Sequence, residues 1–350
     1  MSIVFAILLF SLLIFVHELG HFISAKLSGV QVNEFSMFMG PAIAKWHRGE
    51  TLYTIRCIPI GGYCAMEGED SDTDSPRSFQ KAAWWKRLII LVAGSATNFV
   101  VGFLLLAITL APVTAVAVPE IAAAEEGCTI VSEDGLHIGD RLLEVDGEKV
   151  YLSSDFSMLL SLNPGTIHDV VVERDGKIVE LNDFTMEKHM FPNAKKETYG
   201  ILFAKEELDF GGKIGYALKE SYNMARSVPL SLKMLFSGKA GLKDMSGAVG
   251  IVQVMTKTAQ ESATKQVAVL NLLTLGGFIA INLAVINLLP FPALDGGRVV
   301  GLLLTTLIEA ITKKKINPEI EGHIHGAGMI FLLALMVVVT FKDIFTIFKG

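Results

Sequence analysis

His17-Glu18-Leu19-Gly20-His21 lies inside a largely apolar run, Ile3 to Leu27, that is long enough to cross a bilayer as a helix. In such a helix His17 and His21 share a face, about 40° apart. Two neutral imidazoles at that spacing can ligate a metal ion. The glutamate beside the first can take a proton from an attacking water. Buried unpaired in hydrocarbon, these three groups would be strongly unfavourable. A bound metal ion and a water-filled pocket would offset that cost, so the pattern points to hydrolysis inside a membrane. No Lys or Arg precedes the run and no small-x-small site follows it, so it reads as a retained helix rather than a signal peptide.

The rest of the chain fits a membrane setting. Of its 350 residues, 51% are hydrophobic, which suits a polytopic α-helical membrane protein with a sizeable polar domain. A net charge of −6, with no Gly-rich phosphate loop and no basic–aromatic stripe, argues against a nucleic-acid partner. Cys57, Cys64 and Cys128 are too scattered for a disulfide framework or a metal knuckle and read as free thiols. Four stretches are predicted to span: Ile3–Leu27, Leu88–Val118, Val267–Leu289 and His325–Phe348. Lys26, Lys45, Arg48, Arg56, Arg77, Lys81, Lys86 and Arg87 all follow the first span. That bias places the first loop in the cytoplasm, with Lys313-Lys314-Lys315 on the same side. The polar block from about Pro119 to Lys265 then falls outside.

Local patterns fill in the loops. Thr51–Arg56 and Tyr63–Met66 are β-prone and flank Pro59-Ile60-Gly61-Gly62, which predicts a membrane-associated β-hairpin turning at the glycines. Ser75–Arg87 predicts an interfacial amphipathic helix or a plain aromatic belt. In the outer block, residues 135–147 read as turn, strand and turn. Val170–Glu173 and Lys177–Leu181 form a hairpin through Asp175-Gly176, and Ile214–Phe236 is a helix broken at Pro229.

A catalytic metal usually takes three protein ligands. The extended soluble zincin pattern fails here, because Ser24 and Leu27 stand where its glycine and its further histidine would fall. A glutamate on a second helix is not excluded by spacing. The best candidate is Asp295, in Asn287-Leu288-Leu289-Pro290-Phe291-Pro292-Ala293-Leu294-Asp295-Gly296-Gly297. An acid between two apolar stretches, after prolines that break the helix, marks a site at membrane depth.

The first-span HExxH motif and the later NxxPxPxLDG resemble those of the site-two-protease family of intramembrane zinc metalloproteases, and the GLxxGDxLLxVDG segment resembles a PDZ domain. Together they resemble the bacterial RseP/RasP type with one PDZ domain. The resemblance implies about four transmembrane helices, a membrane-associated β-hairpin and an extracytoplasmic PDZ-like β/α domain. The expected parts are a first membrane part over 1–118, the PDZ-like domain over 119–205, an amphipathic helical segment over 206–266 and a second membrane part over 267–350. It implies that His17, His21 and Asp295 bind Zn2+, that Glu18 is the general base and that Asn287 lines the substrate site. The hairpin around Gly61 and Gly62 would pair with an extended substrate strand. Substrates would be single-span proteins such as anti-sigma factors or signal-peptide remnants, cut in the lipid bilayer of a bacterial cytoplasmic (inner) membrane.

Plainer readings stand beside these. Asp295 can cap a helix starting at Gly296. Glu34, Glu321, His323 and His325 are lesser candidates for the third ligand, and the two histidines read as interfacial. Asn98 reads as close helix packing, and His137 and His168 as surface residues. A zinc or proton transporter would use the same His/Glu/Asp cluster. It would be expected to show paired halves with matching broken helices, and one such helix is visible.

Overall fold

A computed structural model describes residues 2–69, 73–163, 165–192, 197–238, 247–262, 264–313 and 318–349. It divides into two compact units, 1–106 with 242–350, and 107–241. Among the described residues, four helices are long and apolar enough to span a membrane: α1 (Ser2–Ser28), α2 (Trp84–Leu110), α6 (Lys265–Asn287) and α8 (Pro318–Lys349). The second span is shorter than its hydropathy predicts. Pro112 lacks a backbone N–H and disfavours helix at the residue before it, and the helix closes at Leu110. Residues expected at its end instead form strand β3 (Ala115–Ala124). The predicted helix over Ser75–Arg87 is also corrected. Phe79–Lys81 is a single 3₁₀ turn between extended residues Ser78 and Ala82. Lys314 and Lys315 lie outside the described residues.

The loop after α1 carries two long antiparallel strands, β1 (Val32–Arg48) and β2 (Thr51–Met66), so the predicted hairpin turn is misplaced. The chain reverses at Gly49-Glu50, and Gly61 and Gly62 lie inside β2. Both strands bend, at Phe38 and Gly40 in β1 and at Gly61 in β2, where φ is +72°, +85° and +78°. Glu34–Met37 therefore pairs with Leu52–Ile55 on one side and Gly62–Ala65 on the other. That pairing leaves Gly62–Met66 as an edge segment of the sheet. Phe35, Cys64 and Met66 pack with Ala25 of α1, Ile90 and Leu91 of α2 and Leu302 of α7 (Asp295–Thr312).

The 107–241 unit is a twisted antiparallel sheet ordered β7-β6-β4-β3-β8, from β4 (Arg141–Val145), β6 (Ile167–Arg174), β7 (Lys177–Thr185) and β8 (Ile201–Glu207), with β5 (Glu148–Lys149) beside β4. Asp146-Gly147 and Asp175-Gly176 all take positive φ, as two-residue hairpin turns require. Helix α3 (Ser153–Leu162) buries Phe156, Leu159 and Leu160 against the sheet. Helix α4 (Phe210–Phe236) runs unbroken through Pro229, correcting the predicted break. His168 is corrected too. It is buried, with Nδ1 2.8 Å from Asp146 Oδ2.

Asp140, fully buried at the end of the Gly135–Asp140 turn, accepts from Arg174 Nε and Nη2 at 2.8 and 2.7 Å and from the His137 N–H at 2.7 Å. Burial pushes its carboxyl up, but the guanidinium and the N–H outweigh that and hold it below the ordinary aspartate value. The stability this pair contributes is full above the unfolded value near pH 4 and is lost as pH falls through the folded one. Arg174→Ala, which strands the buried carboxylate, is expected to cost about 3 kcal/mol. Faster amide exchange in β4 and β6 at pH 7 would report it, with the gap to wild type closing in acid. Unchanged exchange would contradict this.

Candidate metal centre

The site is assembled from α1, α2 and the α6–α7 turn. His17 and His21 are both buried on α1, and their Nε2 atoms lie 3.2 Å apart. Asp295, the first residue of α7, places Oδ2 3.2 Å from His17 Nε2 and 3.4 Å from His21 Nε2. The helix-capping alternative fails, because the N-cap position is Leu294 and the Asp295 carboxylate faces the imidazoles. An aspartate in the first helical turn also suits the helix dipole.

Hydrogen bonding fixes which atoms are available. His21 Nδ1 donates to the Ile90 carbonyl of α2 at 2.8 Å, which leaves the Nε2 lone pair facing inward. Asp295 Oδ2 and His17 Nδ1 are buried without a hydrogen-bond partner. No acceptor holds the His17 proton on Nδ1, so His17 Nε2 meets the Asp295 carboxylate and the His21 lone pair either as a donor or, once a cation takes the proton's place, as a ligand. Ligands about 2.0–2.1 Å from a tetrahedral metal ion stand about 3.3 Å apart, which matches the three separations here. The donor set therefore fits a metal ion.

Close approach depends on glycines. A Cβ at Gly94 of α2 would sit 2.4 Å from His21 Nε2 and 2.8 Å from His17 Cε1. A Cβ at Gly20 would sit 2.5 Å from Thr97 Oγ1 and 2.6 Å from the Ala93 carbonyl. Gly20 thus admits α2 rather than the metal. Gly94 escaped the sequence reading, where its small-residue neighbourhood signalled only helix packing. Asn98, one turn further along α2, is fully buried.

The α6–α7 turn is as tight. A Cβ at Gly296 would meet the Leu288 carbonyl at 2.2 Å, and Ala293 takes φ +80°. This folding returns Asp295 towards the end of α6, where half-buried Asn287 is the last helical residue. His325 of α8 accepts the Ala293 N–H at 3.0 Å, and Gly328 packs against Pro292. His325 therefore props the turn and is not grouped with the ligands. The described side chain of Glu34 is likewise committed elsewhere, to Arg56 Nη2 at 2.8 Å and Thr54 Oγ1 at 2.8 Å. Glu18, half-buried on α1, faces β2. Its Cγ lies 3.4 Å from the Cβ position of Gly62, and the Cys64 N–H lies within hydrogen-bonding reach of its carboxylate.

The chain is similar to known proteins over most of its length. The family model "Peptidase family M50" matches residues 5–335. A Clostridium acetobutylicum protein named as a candidate zinc metalloprotease is 35% identical over 346 residues, covering 98% of this chain and 97% of its own. The zinc metalloprotease RasP of Bacillus licheniformis is 29% identical, and the regulator of sigma-W protease RasP of Bacillus subtilis is 27% identical, each over 98% of both chains. The chain belongs to peptidase family M50, the site-two-protease family.

If Gly94 makes room for the imidazoles, Gly94→Ala is expected to weaken metal binding roughly 10- to 100-fold. Competition with a chromogenic chelator measures this, and wild-type affinity in the variant would show that the space is not needed.

Proposed function

We propose that the chain is an intramembrane zinc endopeptidase that cuts single-span membrane proteins within or near their spans. The observation that carries this reading is the trio His17, His21 and Asp295: both histidines, with Glu18 between them, lie in the body of a helix fit to span a bilayer, and Asp295 meets them from the start of α7. In this reading His17, His21 and Asp295 hold zinc. Zinc, when bound, polarises a carbonyl and makes a water more acidic. Glu18 accepts the proton of the attacking water and passes it to the leaving amine nitrogen. Asn287 holds the substrate backbone or donates to the developing oxyanion.

A substrate helix hides its peptide bonds in internal hydrogen bonds. It must open before it can be cut, and an edge strand is a natural replacement partner for the exposed amides. Gly62–Met66 is such an edge, and Glu18 sits against it. The bend at Gly61 and the missing side chain at Gly62 keep the approach clear. His17 lies roughly 20 Å of helix rise from Ile3. With the basic first loop in the cytoplasm, the site sits towards the cytoplasmic side. The 107–241 unit then lies outside and is read as a PDZ-like filter on substrate size or a new C-terminus. A Bacillus subtilis relative is named for regulating sigma-W. By that likeness, an anti-sigma factor or a signal-peptide remnant in a bacterial cytoplasmic membrane is the substrate class proposed.

The test uses purified protein in detergent and a single-span substrate. Glu18→Gln is expected to keep its zinc and lose cleavage by about 10²- to 10⁴-fold. A chelator is expected to stop the wild type. Equal cleavage by Glu18→Gln and wild type would end the assignment. Placing two glycines in the substrate span, each weakening the helix by about 1 kcal/mol, is expected to speed cleavage. An all-leucine span cut at the same rate would argue against local unwinding.

A further inference from the structure

We propose that Glu69 and Arg298 are a positioning pair that fixes the edge strand against the helix carrying Asp295. The proposal rests on the reading that Gly62–Met66 receives the substrate and that Asp295 holds the metal. Arg298 stands three residues beyond Asp295, in the first turn of α7, and its Nη1 pairs with Glu69 Oε1. Glu69 lies three residues beyond the end of β2, and its other carboxylate oxygen, Oε2, faces the Met66 N–H at 3.5 Å. One carboxylate therefore links the last residue of the edge strand to the ligand helix, across a sequence separation of 229.

The surrounding contacts explain why a charged link is useful. Leu302 of α7 shares a buried apolar cluster with Cys64 and Met66 of β2, and Val299 packs against that cluster. Apolar contact is non-directional, so it holds the helix to the sheet without setting how far one slides along the other. The ion pair sets that register. Glu69 is itself held, because its carbonyl accepts from Gln80 Nε2 at 3.2 Å and Gln80 Oε1 accepts from Arg87 Nη1 of α2 at 3.1 Å. The side chains of Glu69 and Arg298 are 18% and 27% exposed, so the pair is largely shielded from solvent. Asp295 approaches from α7 and the substrate from β2. A slip between them moves the scissile bond relative to the metal and Glu18, and a misplacement of about 1 Å can cost roughly 100-fold in rate.

The experiment uses the full-length zinc-loaded protein, a single-span substrate and the variants Glu69→Gln, Arg298→Gln, Glu69→Arg, Arg298→Glu and the double reversal. Each single variant is expected to lower kcat about 10- to 100-fold with KM changed less than about threefold and zinc retained. The double reversal is expected to recover about tenfold over either single reversal. In zinc-free protein, amide exchange in Gly62–Met66 is expected to quicken in each single variant and slow again in the double. Wild-type kcat in both neutral variants, or a double reversal no better than the singles, overturns the proposal. If the reversals fail to fold, the double Gln variant decides: a loss no greater than the worse single supports the pair, and additive losses overturn it. Glu18→Gln run alongside separates the two failures. Its cleaving like wild type sinks the protease reading, whereas its inactivity beside fully active Gln variants sinks only the pair.

Discussion

Three electron-rich atoms, His17 Nε2, His21 Nε2 and Asp295 Oδ2, meet within 3.4 Å of one another where water is scarce. With the His21 proton committed to the Ile90 carbonyl, the His21 Nε2 lone pair faces the other two atoms, and a cation among the three would offset the cost of burying them. Much of the membrane unit follows from that demand. The two imidazoles must share a helix face, so α1 must be continuous through them. The acid comes from a residue almost 280 positions away, so the chain must break and fold back at α6–α7.

Space is the second constraint. α2 comes close to α1 because Gly20 and Gly94 lack side chains, and α7 turns against α6 because Gly296 does. Inside a bilayer, helices gain little from hydrophobic association, and close packing of small residues takes its place. Gly94 also leaves the volume into which the two imidazoles project. In the edge strand, Gly62 brings β2 within van der Waals distance of Glu18. An exposed sheet edge is ordinarily a liability. Here it lies beside Glu18, and in the proposed reading that gives it a use. The 107–241 unit is held by a different physics: a conventional apolar core, tight Asp-Gly turns and a buried aspartate matched by a bidentate arginine.

What was legible in the sequence was what periodicity and hydropathy encode locally. The helical spacing of His17 and His21, the proline break before Asp295 and the Asp-Gly hairpins all depend on a few neighbouring residues. What was not legible depended on distant partners. The β1–β2 sheet looked like a short hairpin at Gly61-Gly62, because nothing local shows that Glu34–Met37 inserts between Leu52–Ile55 and Gly62–Ala65. Residues up to Val118 looked like membrane span, because strand and span share apolar residues and only pairing with β8 distinguishes them. Pro229 looked like a helix end, yet neighbouring turns carried the helix through it. Gly94 was invisible as a site residue and His325 was legible only as a lesser ligand candidate, because their roles exist only through α1 and Ala293.

The account stands or falls on a metal ion at one place. An anomalous difference map collected at the zinc absorption edge, from crystals of the intact protein, locates it directly. The account predicts a single strong peak about 2 Å from His17 Nε2, His21 Nε2 and an Asp295 carboxylate oxygen. Zinc bound elsewhere, with no peak between these three side chains, would contradict it.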